Sequence, residues 1–570
     1  MTTPTWTPHK LALVLLPTAL LLLLLVSIND AALAETLFLG TTYYFLAATV
    51  LCWAGTYLYA ARDVRWAEIV TWVKENWPGL VVAFSVTIVA GLAVEPALRL
   101  LSDEANLVGT SKNLFASQSP TFTVSGKNYY GSYWDVDVAI DQRPTLFPFL
   151  VSLVHTAVGY SYDNVFVFNL MVLPVFLLVS YRLAKSWGGE TVGLVASLLV
   201  VAHPILLISV RSGGFDFLAA FFALLVIKSL FDFARGKRPQ QLAILWMNLC
   251  MFAEVRYESA LFIPPVIGLL LLFRMVSKST LRPFAFIYAL TPAFLLPRIW
   301  QSLLRGSVPK QTPGTVTFSV ENFFNNAYEY FQPILEPSRS FPAHSRLLIA
   351  LGVVGCAAGL RWLFQRIRER DGRTPELRLT IFVAVWLSLQ AIIVFAYVWG
   401  RAQYPSSARL VIPIDTFFSF AAAWILTRTL ARWKPFLSVL LATAIFAAEL
   451  PVASQSRMMN RLTQTRENAT TWRFFESLHE KRILIVTDRP NHFTIMNYGA
   501  MSFESARHDR YLFTALDRRL FQDVYVVQQV RLSTNEPLPG YELWSDRKLD
   551  SVLEFQNDAD VLVRVSRFAH

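Results

Sequence analysis

Ser102-Asp103-Glu104-Ala105-Asn106 places two adjacent carboxylates where an apolar run ends. A carboxylate at such a boundary can accept a proton from a hydroxyl, provided the low dielectric beside it raises its basicity. The same segment can instead cap a helix, because Ser102 or Asp103 would satisfy free backbone N–H groups and complement the dipole. Asp135, Asp137, Asp141 and Arg143 follow; Arg211, Asp216 and Glu254-Val255-Arg256-Tyr257-Glu258 stand at the ends of later apolar runs. Charges in or beside a bilayer are costly and usually mark sites. Arginine there can hold a phosphate through paired hydrogen bonds, which lysine does less well. It can also pair with an acid on a neighbouring helix or hold ordinary lipid headgroups. Arg401, within Tyr397-Val398-Trp399-Gly400-Arg401, and Arg409 complete the set. Rings beside arginine suit a sugar phosphate, and they equally suit an interfacial belt. His155 and His203 stand alone on apolar faces and read as packing residues. No dedicated metal-ligand spacing occurs; a divalent ion bridging a phosphate and the acidic loop is compatible with the sequence.

These residues need a membrane to position them. Of 570 residues, 54% are hydrophobic and 16% charged, and the mean hydropathy is +0.42. A water-soluble globule does not hide that much apolar surface. The net charge of +11 is spread as small clusters between apolar runs, a topological pattern that excludes a nucleic-acid stripe. Cys52, Cys250 and Cys356 have no paired spacing. Runs able to cross ~30 Å of hydrocarbon fall near 11–28, 38–60, 78–101, 164–181, 191–209, 215–233, 240–254, 259–275, 283–300, 346–364, 379–398, 408–430 and 435–453, predicting thirteen spans. The first reads as a span and not as a cleaved leader, because its leucine run is long. Basic residues collect at every second loop, from Arg62, Arg65 and Lys74 to Arg428, Arg432 and Lys434. The N-terminus is therefore expected inside and the C-terminus outside. The outer face then receives loops 102–163 and 301–345 and the tail. Leu146 to Val158 is short for a crossing and reads as a juxtamembrane or re-entrant helix. In the tail, Ile483 to Thr487, Asp523 to Gln529 and Val561 to Val565 read as strands of a small α/β domain. The expected fold class is an α-helical polytopic membrane protein: extra helices in 1–77, a transmembrane region in 78–453 and a soluble α/β domain in 454–570.

Asp103-Glu104 after an early span, then Arg143-Pro144-Thr145-Leu146-Phe147-Pro148 leading to Gly159, resembles the first outer loop of GT-C glycosyltransferases. The resemblance lies in the protein O-mannosyltransferase and lipid A aminoarabinose transferase branch. His203-Pro204, Arg211 and Asp216 resemble the family's second outer loop, and Arg409-Leu410-Val411-Ile412-Pro413 its late arginine-to-proline element. The likeness covers about 78 to 430. It implies a membrane enzyme that takes a sugar from a polyprenyl-phosphate carrier, never from a nucleotide sugar. The sugar goes, with inversion, to a glycan, lipid or protein acceptor at the outer face of a bacterial inner membrane. It implies Asp103 as base, Glu104 as its neighbour and Asp216 as a second acidic contact. Arg211 and Arg256 become candidates for the carrier phosphate, with Glu258, Arg143, Arg401 and Arg409 as further substrate contacts. A transporter or flippase of lipid-linked sugar could use the same charges without reacting. Against it, no Gly/Pro-interrupted spans repeat in two halves, and the charges gather at one boundary. A noncatalytic scaffold leaves those charges unexplained.

Overall fold

The computed structural model describes residues 8–99, 101–129, 132–304, 316–336, 343–368, 375–404, 406–430, 435–454, 463–480, 482–508, 522–543 and 548–568. Arg432 and Lys434 lie outside the described residues. The chain opens with α1 (Pro8–Asn29), α2 (Ala31–Ala61) and α3 (Trp66–Ala93). The segment between α3 and the next long helix holds α4 (Leu101–Ser117), the hairpin β1 (Thr121–Tyr129) and β2 (Ser132–Ile140), and α5 (Leu146–Val158). Then come α6 (Asn164–Gly188), α7 (Glu190–Val200), α8 (Pro204–Val210), α9 (Asp216–Gly236) and α10 (Pro239–Ala253). A 3₁₀ turn, Glu258–Phe262, enters α11 (Ile263–Leu272), followed by α12 (Lys278–Leu281), α13 (Ala285–Ala289) and α14 (Thr291–Leu304). The helical region closes with α15 (Val320–Leu335), α16 (Arg346–Arg368), α17 (Pro375–Ala396), α18 (Ile412–Leu430) and α19 (Pro435–Ser454).

Eight of the described helices are long and apolar enough to cross a membrane, or ten if two bent pairs each count as one. The sequence predicts thirteen, and the three that fall short have identifiable causes. α1 reaches the test only as Leu15–Ile28 among the described residues, and α11 is preceded by a 3₁₀ turn and starts on Pro264-Pro265. α10 has 15 residues, roughly 22 Å at the helical rise, against ~30 Å of hydrocarbon. The predicted span 191–209 is broken: α7 and α8 bend by 74° at Val201-Ala202-His203. Pro204 cannot donate to the preceding turn and forces His203 into an extended conformation. The same sequence reads apolar throughout α2 and α9, yet the α9 window is 83% buried and the α2 window 22%. α9 is thus the centre of the bundle, and α2 turns most of its surface to lipid.

The tail is not a separate unit. α20 (Thr463–Ser477), β3 (Ile483–Val486), α21 (Asn491–Thr494), β4 (Gly499–Met501), α22 (Phe503–His508), β5 (Asp523–Arg531), β6 (Leu549–Asp558) and β7 (Val561–Phe568) form an α/β layer. Its sheet has seven strands in the order β2-β1-β4-β3-β5-β7-β6. β3 runs parallel to β4 and β5, the other pairs are antiparallel, and Gly126 of β1 faces Ala500 of β4. The segment between α3 and α6 therefore supplies two strands of the tail's sheet. α21 fastens the junction: Lys112 Nζ donates to the Thr494 carbonyl at 2.8 Å and Asn491 Nδ2 to Asn106 Oδ1 at 2.6 Å, and Tyr160 donates its hydroxyl to the Ile495 carbonyl. A hydrogen-bonded sheet does not cross a bilayer between helices, so this segment and the tail share one side of the membrane.

Two buried groups make this junction sensitive to pH. Burial holds Lys112 down to about 8, and burial helped by Arg489 holds His492 down to about 3. In both cases the unfolded chain binds the proton more tightly, so docking strengthens as pH rises through each window. For His492 that window runs from about 3 up to the ordinary imidazole value near 6.5, and for Lys112 from about 8 up to near 10.5. Limited proteolysis of the tail should accelerate between pH 7 and pH 4.5, and His492→Phe, which cannot be protonated, should flatten that response.

Candidate functional site

Asp103 leads α4 out of the apolar region, and Asp216 begins α9. Between them lies a run of alternating charges. Glu258 Oε1 is 2.6 Å from Arg256 Nε, and Arg256 Nη1 donates to Asp216 Oδ1. Asp216 Oδ2 accepts from Arg409 Nη1 at 2.9 Å, and Arg409 Nη2 donates to Asp103 Oδ2 at 3.2 Å. Asp103 Oδ1 accepts from Arg143, whose Nη1 donates to Asp141 Oδ1 at 2.6 Å. Four carboxylates and three guanidiniums thus form one chain, Glu258-Arg256-Asp216-Arg409-Asp103-Arg143-Asp141, with a formal charge of −1. Six of its members line a cavity of about 610 Å³; Asp141 is buried behind Arg143. Burial raises the Asp141 carboxyl although Arg143 pulls it down, and burial opposes the Arg143 charge, which Asp141 and Asp103 more than restore. Gln301 of α14 donates to the carbonyls of Asp141 and Arg143 and fixes this corner. Leu261, Phe318, Ile393, Val394 and Leu410 give the cavity an apolar wall.

Three of the nine expected site residues do not line this cavity. Glu104 is fully buried behind it, where its Oε2 accepts from the backbone N–H of Arg99 at 2.8 Å and of Gly213 at 2.9 Å. Adjacent helical residues diverge by about 100°, so Asp103 faces the cavity and Glu104 the interior. Its role is placement: it ties the start of α4 to the turn before α9. A Cβ on Gly213 would come within 2.5 Å of Leu98 and 3.3 Å of Glu104 Oε2, so only glycine permits this approach. Asn169 of α6 grips the same turn through the carbonyls of Ser212 (2.9 Å) and Gly214 (3.1 Å). Arg211 donates to the Val94 carbonyl at 3.0 Å, held by the same loop contact but outside the cavity. Arg401 pairs with Glu329 at 3.0 Å in a neighbouring cavity. Tyr257, Tyr397 and Trp399, from the motifs that hold Arg256 and Arg401, also line the charged cavity, as does Ser407, which only its place beside Arg409 could have signalled.

A second polar cluster lies in the interior. His203, His344 and Asp415 are fully buried, with one potential ligand atom each, all within 4.8 Å of one another, and can coordinate a metal ion. Asp415 Oδ2 is 2.7 Å from His344 Nδ1, its Oδ1 accepts from Tyr330 at 2.8 Å, and His203 Nδ1 lies 3.8 Å from Oδ1. Two imidazoles and a carboxylate are a zinc-type donor set; with no ion, the carboxylate is satisfied by His344 and Tyr330. His203 therefore packs and also belongs to a polar group. His155, by contrast, only closes a network with Ser111 (3.1 Å) and Asn164 (2.9 Å).

No protein-family model and no curated protein matches the chain. Among solved structures, apo ArnT from Cupriavidus metallidurans superposes with a TM-score of 0.50 at 13% identity, over 87% of this chain and 98% of that one. The fold is similar to that of ArnT. ArnT from Cupriavidus metallidurans bound to undecaprenyl phosphate (TM-score 0.48, 13% identity, 85% of this chain and 97% of that one) and the apo Archaeoglobus fulgidus oligosaccharyltransferase (0.45, 12%, 80% and 70%) are similar at lower scores. At such identities the likeness concerns the fold alone, and the chain's chemistry rests on its own residues.

Glu104→Gln keeps an oxygen for both backbone donors and should retain thermal stability within a degree or two. Glu104→Ala strands two buried N–H groups, each worth roughly 1–3 kcal/mol, and should lower the unfolding midpoint by several degrees in a detergent thermal-shift assay.

Proposed function

We propose that this GT-C-like chain is a membrane glycosyltransferase that moves a sugar from a polyprenyl-phosphate carrier to an acceptor hydroxyl at the outer face, with inversion. The observation that carries the reading is Asp103 placed in a half-apolar cavity between two guanidiniums, Arg143 and Arg409. Guanidinium forks bind phosphate oxygens as well as carboxylates, and the apolar wall suits an isoprenoid chain. Asp103 is engaged by both guanidiniums. A donor phosphate that takes over Arg409 and Arg143 removes those partners and leaves the carboxylate beside the sugar, with its oxygens free to accept a hydrogen bond from the acceptor hydroxyl. Asp103 then accepts the proton of the acceptor hydroxyl as its oxygen attacks C1 from the face opposite the phosphate. The C1–O bond to phosphate breaks as the glycosidic bond forms, and polyprenyl phosphate leaves, its charge held by arginine. Asp216 and Arg256 keep Arg409 in place. Glu104, Arg211 and Asn169 hold the loops on which Asp103 and Asp216 sit. No step here requires a metal; an ion held by His203, His344 and Asp415 would brace the α7–α8 break.

The shared sheet supports an outer first loop and tail on one side. Counting α1, α10 and α11 as crossings gives the thirteen spans of the sequence reading and places the N-terminus opposite, in the cytoplasm. In this reading, 78–453 carries the chemistry and 454–570 covers its outer face. The competing transporter needs the charges to bind but not to react.

Asp103→Asn should abolish sugar transfer, by at least a thousandfold, while polyprenyl-phosphate binding stays within a few fold of wild type. Full transfer by this variant in nanodiscs would remove Asp103 as base, and carrier flux across vesicles with no glycosylated product would favour transport.

A further inference from the structure

A second cavity of about 550 Å³ lies next to the charged one, and the two share a wall. That wall is a short ladder: Ser319 N–H donates to the Ala396 carbonyl at 3.0 Å, Val398 N–H donates to the Thr317 carbonyl at 2.9 Å, and Phe318 and Tyr397 stack at 5.3 Å. Asn326 Nδ2 clasps it from behind through the carbonyls of Phe395 and Tyr397, both at 2.8 Å. Beyond Tyr397 the chain turns, with Gly400 N–H donating to the Tyr397 carbonyl at 2.8 Å; Tyr397 and Trp399 line the charged cavity, and Val398 and Arg401 line its neighbour.

The neighbouring cavity has a different chemistry. Asn322, Asn325, Asn326 and Gln332 from α15 line it with Glu329 and Arg401, and Tyr328 and Val398 give it apolar surface between these groups. Glu329 Oε1 pairs with Arg401, while Oε2 is buried with no hydrogen-bond partner among the described residues. An amide offers a donor and an acceptor on one plane, and a carboxylate beside a guanidinium offers the same two functions in charged form. Vicinal hydroxyls, each both donor and acceptor, match that lining. An acyl chain does not, since it would offer no hydrogen bond to the amides of Asn325 and Gln332 or to Glu329 Oε2. The volume is in the ordinary range of small-ligand sites.

We propose that this amide-lined cavity is the acceptor subsite and that the acceptor it takes is a carbohydrate. The proposal rests on the transferase reading and adds the acceptor class to it. A glycan held by Asn325, Gln332 and Glu329 can pass one hydroxyl around Trp399 toward Asp103, while the donor phosphate occupies the arginines on the far side of the ladder.

The test uses the full chain in nanodiscs, with maltotriose, chitotriose and mannotriose as probes in saturation-transfer NMR. Polyprenyl-phosphate binding is measured beside it. At least one trisaccharide should bind wild type, and Asn325→Ala/Gln332→Ala should weaken it about tenfold through two lost hydrogen bonds without changing polyprenyl-phosphate affinity. Both positions lie on the cavity side of α15 away from the Asn326 clasp, and Gln332→Glu, which keeps the length and an acceptor, should recover part of the binding. Failure of all three trisaccharides to bind, or equal binding by the double variant, would overturn the proposal. Transfer to a peptide or a glycan-free lipid, unaffected by the double variant, would overturn it and leave the transferase intact. Trisaccharide binding with no transfer to any acceptor would keep the glycan site and remove the transferase reading.

Discussion

Four carboxylates can crowd the edge of a low-dielectric region only because three guanidiniums stand between them. Each arginine in Glu258-Arg256-Asp216-Arg409-Asp103-Arg143-Asp141 serves two acids, and each inner acid serves two arginines. The members come from α4, the loop before α5, the start of α9, the turn after α10 and the 3₁₀ segment before α18. Removing one partner from such a buried chain leaves an uncompensated charge, at a cost of roughly 3–5 kcal/mol. These ends of the elements are therefore bound together electrostatically, and the helix packing beneath must present them at matching heights. A carboxylate paired twice stays engaged until an anion of the right shape competes for its partners.

The loop before α9 shows how the scaffold meets that demand. Glu104, Asn169 and Arg211 satisfy backbone groups of the 94–99 and 211–215 segments, where irregular backbone would otherwise be left bare near hydrocarbon. The sheet adds a second constraint from above. With β1 hydrogen-bonded to β4 of the tail, α4 cannot tilt without disturbing β4 and α21, so the position of Asp103 depends on residues nearly 400 places later in the chain.

The sequence carried the membrane character openly, because apolar runs of about 20 residues match the thickness of a bilayer and are rare in water-soluble folds. The charges in the site were legible as individual oddities at helix ends, and six of them meet in one cavity. Their pairing was not legible. Neighbours such as Asp103 and Glu104 look equivalent as letters, and helical geometry sends them to opposite sides. Arg401 resembles Arg409 in setting, but the turn at 397–400 carries it into the adjoining cavity. β1 and β2 were hidden for a related reason: Asp135 and Asp137 on β2 read as a solvated acidic loop, although Trp134, Val136 and Val138 alternate with them as a strand requires. Continuous apolar runs also conceal breaks. Only Pro204 marks the α7–α8 bend, and periodicity passes through it.

That bend gives the interior cluster its meaning. Where α7 stops, His203 leaves helical geometry and points into the space among α15, α16 and α18, toward Asp415. An isolated Asp415 there would be an unpaired charge in the bundle's centre, which is prohibitive without partners. Tyr330, His344 and His203 converge on it from three separate elements, so the helix break, the outer helix α15 and the first turn of α18 are fixed to a common point. α15 also lines the amide-rich cavity, and α18 follows directly from Arg409. One buried carboxylate thus sets the spacing between the two cavities. The carboxylate can be neutralised by a proton shared with an imidazole or by a metal ion, and either choice holds the same three elements together.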